Sequence, residues 1–369
     1  MLSHRTEVKS FAPSRAQRLA HTGDLFYQTV RPYQKNNYLF EKPDNNYVFS
    51  TGYAQMRPYV DGYFLLSLVQ SERFVKVVLD NCTGTSYPAI NANDLAEIEV
   101  AAPSDESEVQ KIGTIFRSID NLTTLHQRKY DKLQNLKKAM LEKMFPKNGS
   151  NVPEIRFKGF TDDWEQRKLG DNIVEYTEKT TENNQYPVLT SSRKGIFFQT
   201  DYYDGNQIAS ADNTGYNIVP YGYFTYRHMS DDEIFHFNIN DIAENGIVST
   251  LYPVFTTDEN LDSRYLQYQL NYGREFARYA ILQKQGGSRT YMYLNKLRNL
   301  YLTVPTAIEE QKKISEYFTN LDHLITLHQR KQCILYIMKK LLCGKSKQLE
   351  KSIFWEQRKL GELALFNPK

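Results

Sequence analysis

The sequence contains few of the residues from which metal, disulfide and nucleotide sites are built. Its three cysteines, Cys82, Cys333 and Cys343, have no metal-ligand spacing and are too few for a disulfide framework. No Walker loop, GxGxxG, HExxH or GxSxG motif is present. No apolar run approaches the ~20 residues that span a bilayer, and the first residues lack the apolar core of a signal peptide. We therefore expect a cytoplasmic protein with no metal or cofactor of its own.

Charge and composition are those of an ordinary folded protein. The 369 residues suffice for about two domains, and 40% of them are hydrophobic and 24% charged. The formal net charge of +3 permits an acidic partner such as nucleic acid without requiring one. Tyrosine is abundant, with 27 copies; it suits a hydrogen-bonding contact surface, although it also packs in ordinary sheets.

One segment of the chain is repeated. The residues TLHQRK occur at Thr124–Lys129 and again at Thr326–Lys331, 202 positions apart (326 − 124). At the same offset, Gly84–Pro103 aligns without gaps with Gly286–Pro305. The shared part therefore extends well beyond the six identical residues.

A second repeated string, WEQRKLG, occurs at Trp164–Gly170 and at Trp355–Gly361, 191 positions apart (355 − 164). In contrast, residues 1–83 and 171–285 have little in common. A period near 200 residues is too long for a solenoid. We interpret the chain as a duplicated module with a constant scaffold and two variable heads.

A long helix is predicted in each copy of the scaffold. Ser107–Phe145 is rich in long charged residues and has no proline, and no glycine after Gly113. A helix of roughly 36 residues is ~54 Å long. This exceeds one turn of B-DNA, ~34–36 Å, so such a spacer is long enough to hold two heads over sites more than a turn apart.

Both helices carry a heptad seam. At a 4–3 spacing, positions 115, 119, 122, 126, 129, 133, 136 and 140, and their equivalents 202 residues later, are apolar except for a histidine and a lysine in each. We expect the two helices to pair antiparallel through this seam. Polar seam residues commonly fix register, and their repetition favours a structural over a catalytic role. The residues assigned to helix register or partner docking are His126, Arg128, Lys129, His328, Arg330 and Lys331.

The heads combine strands and helices. Short apolar runs at Tyr186–Ser192, Lys194–Gln199 and Gly246–Phe255 predict strands. Helical stretches are predicted at Gly62–Asp80 and Ser263–Ile281. The fold class is therefore mixed α/β or α+β, repeated.

Basic and polar residues cluster in the predicted loops of both heads. Arginine and lysine neutralise phosphates or pair with guanine, so such loops suit DNA contact, although each cluster alone is also typical of a solvated surface. The candidate DNA-binding residues are Arg31, Tyr33, Lys35, Ser86, Tyr87, Arg193, Lys194, Tyr226, Arg227, Lys284, Ser288, Arg289 and Tyr291.

No catalytic constellation is evident. Phe366–Lys369, FNPK, lacks the second proline and the aromatic residue of the Asn-Pro-Pro-aromatic motif of amino-methyltransferases. Ser86 and Ser288 follow glycine-containing turns, but neither has an identifiable base. The chain is therefore not expected to be an enzyme, and a stand-alone methyltransferase is disfavoured.

The repeated segments resemble the DNA-specificity subunit of type I restriction-modification systems. The resemblance covers nearly the whole chain and is most specific at Glu154–Asp171, EIRFKGFTDDWEQRKLGD, and at Pro305–Lys331. It implies two target-recognition domains, α+β with twisted sheets, separated by two long antiparallel coiled-coil helices in an internal pseudo-two-fold repeat. Each domain would read one half of a bipartite, asymmetric DNA target.

The resemblance also implies partners. Double-stranded DNA, two modification (methyltransferase) subunits and restriction/translocase subunits would assemble with this chain in a phage-defence system. S-adenosylmethionine, ATP and magnesium would be used by those partners, and none is expected on this chain.

The ends of the chain depart from the family pattern. The usual entry into the first head is absent from the N-terminus, and a third such piece follows the second helix. We expect a circularly permuted or N-terminally truncated arrangement in which the tail, residues 347–369, completes the first head; completion of another copy's head in a dimer is the alternative. The predicted boundaries are a first recognition domain at 1–103, a spacer helix at 104–150, a second domain at 151–305, a spacer helix at 306–346 and the tail at 347–369.

Two other functions remain open from the sequence. The chain could be a coiled-coil scaffold whose heads bind proteins, or an inactive, truncated relic of a specificity subunit. Salt dependence separates DNA recognition from protein scaffolding, because phosphate contacts weaken steeply as salt rises.

Overall fold

The computed structural model of the protein describes residues 11–43, 46–84, 86–147, 150–206, 208–284, 289–344 and 355–368. They form two compact units, one of residues 1–130 with 327–369 and one of residues 131–326. Both units mix helices and strands. Among the described helices, none is both long and apolar enough to cross a membrane.

The elements are numbered along the chain. The helices are α1 Gly62–Val69, α2 Glu72–Asp80, α3 Ala92–Ala96, α4 Glu106–Lys143, α5 Gln199–Tyr202, α6 Ser263–Tyr272, α7 Arg274–Leu282, α8 Leu294–Leu297, α9 Ile308–Gly344 and α10 Leu360–Leu363, with short 3-10 turns at Pro32–Gln34 and Leu169–Asp171. The strands are β1 Ala16–Leu19, β2 Leu25–Gln28, β3 Tyr38–Leu39, β4 Val48–Ser50, β5 Tyr53–Pro58, β6 Glu99–Pro103, β7 Glu165–Lys168, β8 Ile173–Glu175, β9 Leu189–Ser192, β10 Gly195–Phe198, β11 Asn217–Pro220, β12 Phe224–Tyr226, β13 Met229–Ser230, β14 Phe237–Ile239, β15 Asn245–Val248, β16 Val254–Thr257, β17 Thr290–Tyr291, β18 Tyr301–Val304, β19 Trp355–Lys359 and β20 Ala364–Phe366.

A four-stranded antiparallel sheet, β20–β5–β2–β3, forms the centre of the first unit. Successive side chains of a strand point to opposite faces, and β2 follows this rule. Leu25 and Tyr27 pack into the main core with α1 and α2, whereas Phe26 packs on the other face against Phe40 and Phe49. Because both faces are covered, these three residues of β2 are fully buried.

The tail contributes two strands to the first unit. Strand β19 pairs antiparallel with β6, from Trp355 opposite Pro103 to Lys359 opposite Glu99. Strand β20 pairs with β5. Between them, the side chains of α10 that point inward, Leu360 and Leu363, lie in the main core. Burial of two leucines on one short helix anchors this segment by the hydrophobic effect.

The WEQRK string makes the same pairing in both units. In the second unit, β7 pairs with β18, and Lys168 lies opposite Tyr301. In the first unit, Lys359 lies opposite Glu99. These positions differ by 191 (359 − 168) and by 202 (301 − 99), the offsets of the two sequence repeats. Identical strings therefore form identical ladders.

The second unit is centred on the antiparallel sheet β14–β12–β16–β8. Phe224 of β12 lies opposite Phe255 of β16, and their rings stack with centroids 4.6 Å apart. Cross-strand aromatic pairs of this kind stabilise a sheet. Helices α6 and α7 cover the sheet through Tyr265, Leu266 and Phe276.

Both helical stretches predicted in the heads are interrupted. Ser263–Ile281 divides at Gly273, where a Cβ atom would lie only 2.3 Å from the Gln269 carbonyl oxygen. Gly62–Asp80 divides before Ser71, whose Oγ accepts a hydrogen bond from the amide three residues on and caps α2. The predictions of single helices were therefore wrong at these caps, which local side-chain chemistry imposes.

The predicted strands of the second head are observed with one division. Strands β9 and β10 lie within Tyr186–Ser192 and Lys194–Gln199 and pair as a hairpin. The stretch Gly246–Phe255 is divided into β15 and β16 by a turn at 249–253. Pro253 ends that turn, and proline has no amide hydrogen to donate to a ladder.

The two long helices agree closely with prediction. Helix α4 begins after Asp105, whose carboxylate accepts a hydrogen bond from the Ser107 amide at 2.9 Å, and ends at Lys143, before Pro146. Acidic residues in its first turn and a lysine in its last complement the helix dipole. Helix α9 is described from Ile308 to Gly344, the residue at which the sequence predicts its end.

In the first unit, α4 and α9 lie side by side in opposite directions. Asp120 of α4 forms an ion pair with Lys339 of α9, at 2.6 Å between Oδ1 and Nζ. Further along α4, His126 contacts His328, which lies earlier on α9. The partner's residue number falls as the α4 number rises, so the contact is antiparallel.

The second unit contains the equivalent ion pair. Lys137 Nζ lies 2.6 Å from Asp322 Oδ1. Both members are 202 positions from their counterparts in the Asp120–Lys339 pair (339 − 137 and 322 − 120). The lysine is largely buried, and its ammonium also lies over the ring of Tyr272.

Half of the predicted seam is wrong. Residues 119, 126, 133 and 140 are at least partly buried, but Ile115, Leu122, Lys129 and Leu136 are exposed. The packed stripe uses Thr123, Tyr130 and Lys137 instead, one position later. The same shift occurs on α9, where 325, 332 and 339 replace 324, 331 and 338. The packed stripe includes the lysines of the lysine–aspartate pairs, and a rule that counts only apolar residues does not detect them.

The burial of α10 generates a stability prediction. Leu363→Ala should lower the free energy of unfolding of the first unit by about 2–5 kcal/mol, because it leaves a cavity at a fully buried site. Hydrogen exchange of β5 and β6 should accelerate, while β12 and β16 of the second unit keep their protection.

The matched control is Leu365→Ala, two residues further on, where the side chain is 43% exposed. It should change stability by less than about 0.5 kcal/mol. Equal protection of β5 and β6 in the two variants would contradict the anchoring role of α10.

Candidate nucleic-acid interface and helix contacts

The five candidate DNA-binding residues of the first head come together on one surface. The loop that carries Arg31, Tyr33 and Lys35 is joined to the loop that carries Ser86 and Tyr87 by backbone pairing of residues 30 and 31 with 88 and 89. Ser86 is exposed, as are the two tyrosines. Sequence positions more than fifty residues apart thus form a single polar and aromatic patch.

Arg31 is held above the ring of Tyr87. Its guanidinium carbon lies 4.4 Å from the ring centroid, a cation–π contact that orients the side chain without neutralising its charge. Its backbone adopts a left-handed conformation, with φ of 56°. Non-glycine residues rarely adopt this conformation, and they concentrate at ligand contacts.

Lys35 is already partnered. Its ammonium lies 2.7 Å from Glu72 at the start of α2, and this hydrogen bond lowers the pKa of the Glu72 carboxyl. Within the first head, Arg31 is therefore the candidate cation that remains without a carboxylate partner among the described residues.

In the second head, Arg193 and Lys194 form the turn of the β9–β10 hairpin, and both are exposed. Ser192 Oγ accepts a hydrogen bond from the Lys194 amide at 3.1 Å and holds the turn. Arg227, which follows β12, is also exposed. These cations lie on loops positioned by rigid strands, where binding residues are concentrated in proteins.

Three candidate cations of the second head pair with three consecutive acids. Arg289 Nε lies 2.9 Å from Asp231 Oδ1. Arg193 pairs with Asp232, and Lys284 pairs with Glu233. The hydrogen bond from Arg193 holds the pKa of the Asp232 carboxyl well below its usual value. We call residues 231–233 the acidic segment.

Strand pairing explains this convergence. Strands β13 and β17 are antiparallel, with Ser230 opposite Thr290. The next residue along β13 is Asp231, and the residue before β17 is Arg289, so the ladder brings them together. The acidic segment was not predicted from sequence, although three consecutive carboxylates beside predicted cations would have been a usable signal.

Tyr226 is a correction to the predicted site. It is fully buried, and its hydroxyl donates a hydrogen bond to the Met292 carbonyl oxygen at 2.9 Å. Burial raises its pKa far above the usual value. It is a core residue, since all three residues of β12 are buried. Ser288 lies outside the described residues.

Tyr291 belongs to an aromatic group that the sequence reading only partly identified. Its ring stacks on Tyr293 with centroids 5.9 Å apart and planes 10° apart. Tyr293 stacks in turn on His228, at 5.0 Å. Tyr293 is 49% exposed, so the group presents a flat aromatic face to solvent. Such faces stack on bases or sugars in nucleic-acid complexes.

The histidines of the repeated TLHQRK segments contact each other. His126 Nδ1 and His328 Nδ1 are 2.8 Å apart, a hydrogen-bond distance. Burial lowers the pKa of both, and for each the charges of Lys129 and Lys331 lower it further. For His328, the charge of His126 acts in the same direction. The pair therefore favours the neutral state.

The basic residues of these segments point to solvent. The exposed residues are Arg128, Lys129, Arg330 and Lys331. Beside the histidines, Gln332 Nε2 donates a hydrogen bond to Gln127 Oε1 at 2.7 Å. Lys129 and Lys331 are therefore not seam residues as predicted, and they remain available to a partner.

Large apolar residues are also exposed on the long helices. On α9, Ile334, Ile337, Met338 and Leu341 recur at helical spacing on one face and are 45–57% exposed. On α4, the exposed residues include Leu122, Leu125 and Leu136. Contiguous exposed apolar residues typically mark protein interaction surfaces.

No metal centre is found among the described residues. They contain no group of three or more potential metal ligands. A cavity of about 340 Å³ in the second unit lies between the end of α4 and residues 272–274. None of its lining residues is a candidate DNA contact.

Comparisons with known proteins match part of the chain to one family model. Residues 161–334 match the family model of the type I restriction modification DNA specificity domain. The chain is 23% identical over 305 residues to the type I restriction enzyme MjaVIII specificity subunit of Methanocaldococcus jannaschii, with 74% of this chain and 66% of that protein covered. The match thus spans slightly less than two thirds of that relative.

Solved structures give a likeness of fold. The S subunit of a type I restriction-modification system from M. genitalium matches with a TM-score of 0.59 and 12% identity, covering 89% of this chain and 84% of that chain. The HsdS subunit from Thermoanaerobacter tengcongensis matches with a TM-score of 0.40 and 18% identity, covering 91% and 83%. The first match supports a shared fold.

The histidine pair generates a prediction of pH dependence. Because the folded-state pKa of both histidines lies below 6.5, the unfolded state binds more protons as pH falls through that value. Stability should be greatest above about pH 6.5 and decrease toward pH 5. The double variant His126→Gln with His328→Gln should show a shallower decrease in chemical denaturation.

The control is Gln127→Ala with Gln332→Ala, which removes the neighbouring polar pair without removing a titratable group. It should lower stability by an amount that does not change with pH. A histidine double variant whose curve runs parallel to that of the unmodified protein would refute the assignment.

Proposed function

We propose that this chain, whose residues 161–334 match the type I restriction modification DNA specificity domain, is a specificity subunit that recognises a bipartite, asymmetric DNA target and directs modification and restriction subunits to it. The observation that carries the proposal is the pair of unlike surfaces built on a repeated scaffold. Each head presents exposed cations and tyrosines, and the residues that form the two surfaces differ. Unlike heads would read unlike half-sites.

The proposed architecture is two target-recognition domains held apart by an antiparallel coiled coil with an internal pseudo-two-fold repeat. The domains are residues 1–103 and 151–305, and the spacer helices are 104–150 and 306–346. Support comes from the Asp120–Lys339 and Lys137–Asp322 pairs, which occupy repeat-equivalent positions. A polar pair in a helix seam fixes register, because a shifted register would leave charges unpaired.

We further propose that the tail, residues 347–369, completes the first domain in cis. The ladder between β19 and β6 supports this assignment, because it reproduces the register of β7 with β18. Completion within the chain gives the first domain the same strand that the second domain receives from its own N-terminal side.

DNA recognition would combine two kinds of contact. Arg31, Lys194 and Arg227 would bind phosphates or base edges, and the tyrosine faces would stack or hydrogen-bond. Phosphate contacts give affinity and register, whereas base contacts give the sequence preference. The small net charge of +3 is consistent with partners that supply part of the grip on the backbone.

Chemistry would reside in the partners. Two modification subunits would methylate adenine with S-adenosylmethionine, and restriction subunits would use ATP and magnesium to translocate and cleave DNA in the cytoplasm. This chain would contribute no catalytic group. The exposed apolar residues of α4 and α9, with Arg128, Lys129, Arg330 and Lys331, would dock the modification subunits.

A protein-binding scaffold is the second candidate function, and the apolar face of α9 favours it. The two functions differ in salt dependence. A DNA-binding head that contacts six to ten phosphates loses about 10³–10⁵ in affinity between roughly 50 and 200 mM salt, whereas apolar docking does not.

The test of the proposed function is long-read methylome sequencing of cells that express this chain with its modification subunit. A methyl-adenine motif of two unlike halves separated by a fixed gap is the expected result. A symmetric motif would mean that two copies of one head pair, and an absence of methylation would favour the scaffold or an inactive relic.

A residue-level prediction concerns Arg227. Arg227→Ala should weaken binding to a DNA duplex that contains the recognised motif by about 1–3 kcal/mol. The reason is that this exposed arginine has no carboxylate partner among the described residues and is free to contact DNA. Electrophoretic or anisotropy titration with the motif duplex measures this loss.

Arg278→Ala provides the control. It removes the same charge from an exposed position on α7 in the same unit. Similar losses for Arg227→Ala and Arg278→Ala would show that general charge, not a specific contact, determines affinity.

A further inference from the structure

Three ion pairs of the second head converge from separate segments on one short loop. Arg193 comes from the β9–β10 turn, Lys284 follows α7, and Arg289 precedes β17. Their partners are the consecutive residues of the acidic segment, 231–233. Three cations that could meet DNA phosphates therefore meet carboxylates in the free protein.

The acidic segment is held in place by its own contacts. Ser230 Oγ donates a hydrogen bond to Asp232 Oδ1 at 2.8 Å, and the Ile234 amide donates to the same oxygen at 3.3 Å. Glu233 has a left-handed backbone, with φ of 59°. The Asp232 carboxylate, at the centre of the segment, thus keeps two hydrogen-bond donors when Arg193 leaves.

The ion pairs themselves are exchangeable. Their side chains are 23–64% exposed, and exposed ion pairs contribute little stability because water and salt screen them. A DNA phosphate presents the same ligand chemistry as a carboxylate, an anionic oxygen that accepts from arginine or lysine. The free-energy difference between pairing with a carboxylate and pairing with a phosphate is therefore small enough for DNA binding to drive the exchange.

Two other candidate cations of this head are different. Lys194 and Arg227 form no side-chain ion pair or hydrogen bond within the described part of the chain. They can contact phosphate without losing an internal partner. The head thus has freely available cations and cations that are already engaged.

We propose that the acidic segment, Asp231–Glu233, competes with DNA phosphates for Arg193, Lys284 and Arg289, and so weakens binding to DNA that lacks the target. This proposal rests on the proposed function, because it requires DNA at this surface. Each phosphate contact made by these cations first breaks an internal ion pair. Non-target DNA, which offers phosphates alone, gains least from that exchange.

The experiment measures binding of the full chain to a duplex of random sequence over a series of salt concentrations. The variant is Asp231→Asn with Asp232→Asn and Glu233→Gln, which preserves the shape of each side chain and removes its charge. Three exposed ion pairs correspond to a gain in affinity of roughly 3- to 100-fold. The slope of log affinity against log salt should become steeper, because more phosphate contacts release counterions without compensation.

The control is Asp241→Asn, which breaks the exposed Arg264–Asp241 bridge in the same head. After correction for the loss of one negative charge, its affinity for random DNA should lie within about twofold of that of the unmodified chain. Arg289→Ala with Asp231→Asn should bind no better than Arg289→Ala alone, because the competing pair is already absent.

The outcomes separate the two proposals. If the unmodified chain shows no salt-dependent binding to DNA, the proposed function fails. If it binds and the triple variant binds equally well or more weakly, the competition fails and the proposed function stands. The proposed competition would also be refuted if the triple variant gained no more affinity, per negative charge removed, than Asp241→Asn.

Discussion

The backbone ladder between a WEQRK strand and the strand that leads into a long helix is the constraint on which each unit depends. Strand β18 runs directly toward α9, and β6 runs directly toward α4. Pairing with β7 or β19 fixes the direction of each strand and, through it, the direction in which the helix leaves the unit. A fixed register is required, because a one-residue slip would turn every side chain of the strand to the opposite face.

The repeat made much of the fold predictable, and local chemistry made the rest unpredictable. Identical strings at fixed offsets predict the long helices, the two heads and the importance of the tail segment. Apolar spacing failed along the helices because Lys137 and Lys339 are packed, whereas their neighbours Leu136 and Met338, which the spacing placed in the seam, are exposed. The methylene chain of a lysine packs like an apolar side chain, while its ammonium pairs with an aspartate. That aspartate lies on the other long helix, so the residue pattern of one helix does not reveal it.

The candidate site was predictable as a set of loops but not residue by residue. Arg31 and Tyr87 are far apart in sequence and meet only because two loops share a backbone bridge. Tyr226 was misassigned because it adjoins Arg227: Tyr226 is buried at the end of β12, whereas Arg227, which follows the strand, is exposed. The acidic segment was not predicted, because the net charge of the whole chain does not reveal local groups of charge. A net charge of +3 conceals cations and carboxylates that are paired at short range.

The contact between His126 and His328 has a consequence for the symmetry of the repeat. A hydrogen bond between two Nδ1 atoms requires one ring to carry its proton on Nδ1 and the other to carry it on Nε2. Two residues that are identical in sequence and equivalent in position must therefore be different tautomers at any instant. Where the two TLHQRK segments touch, the rings differ in which nitrogen is protonated, and exchanging the donor and acceptor roles requires a proton to change position on each ring.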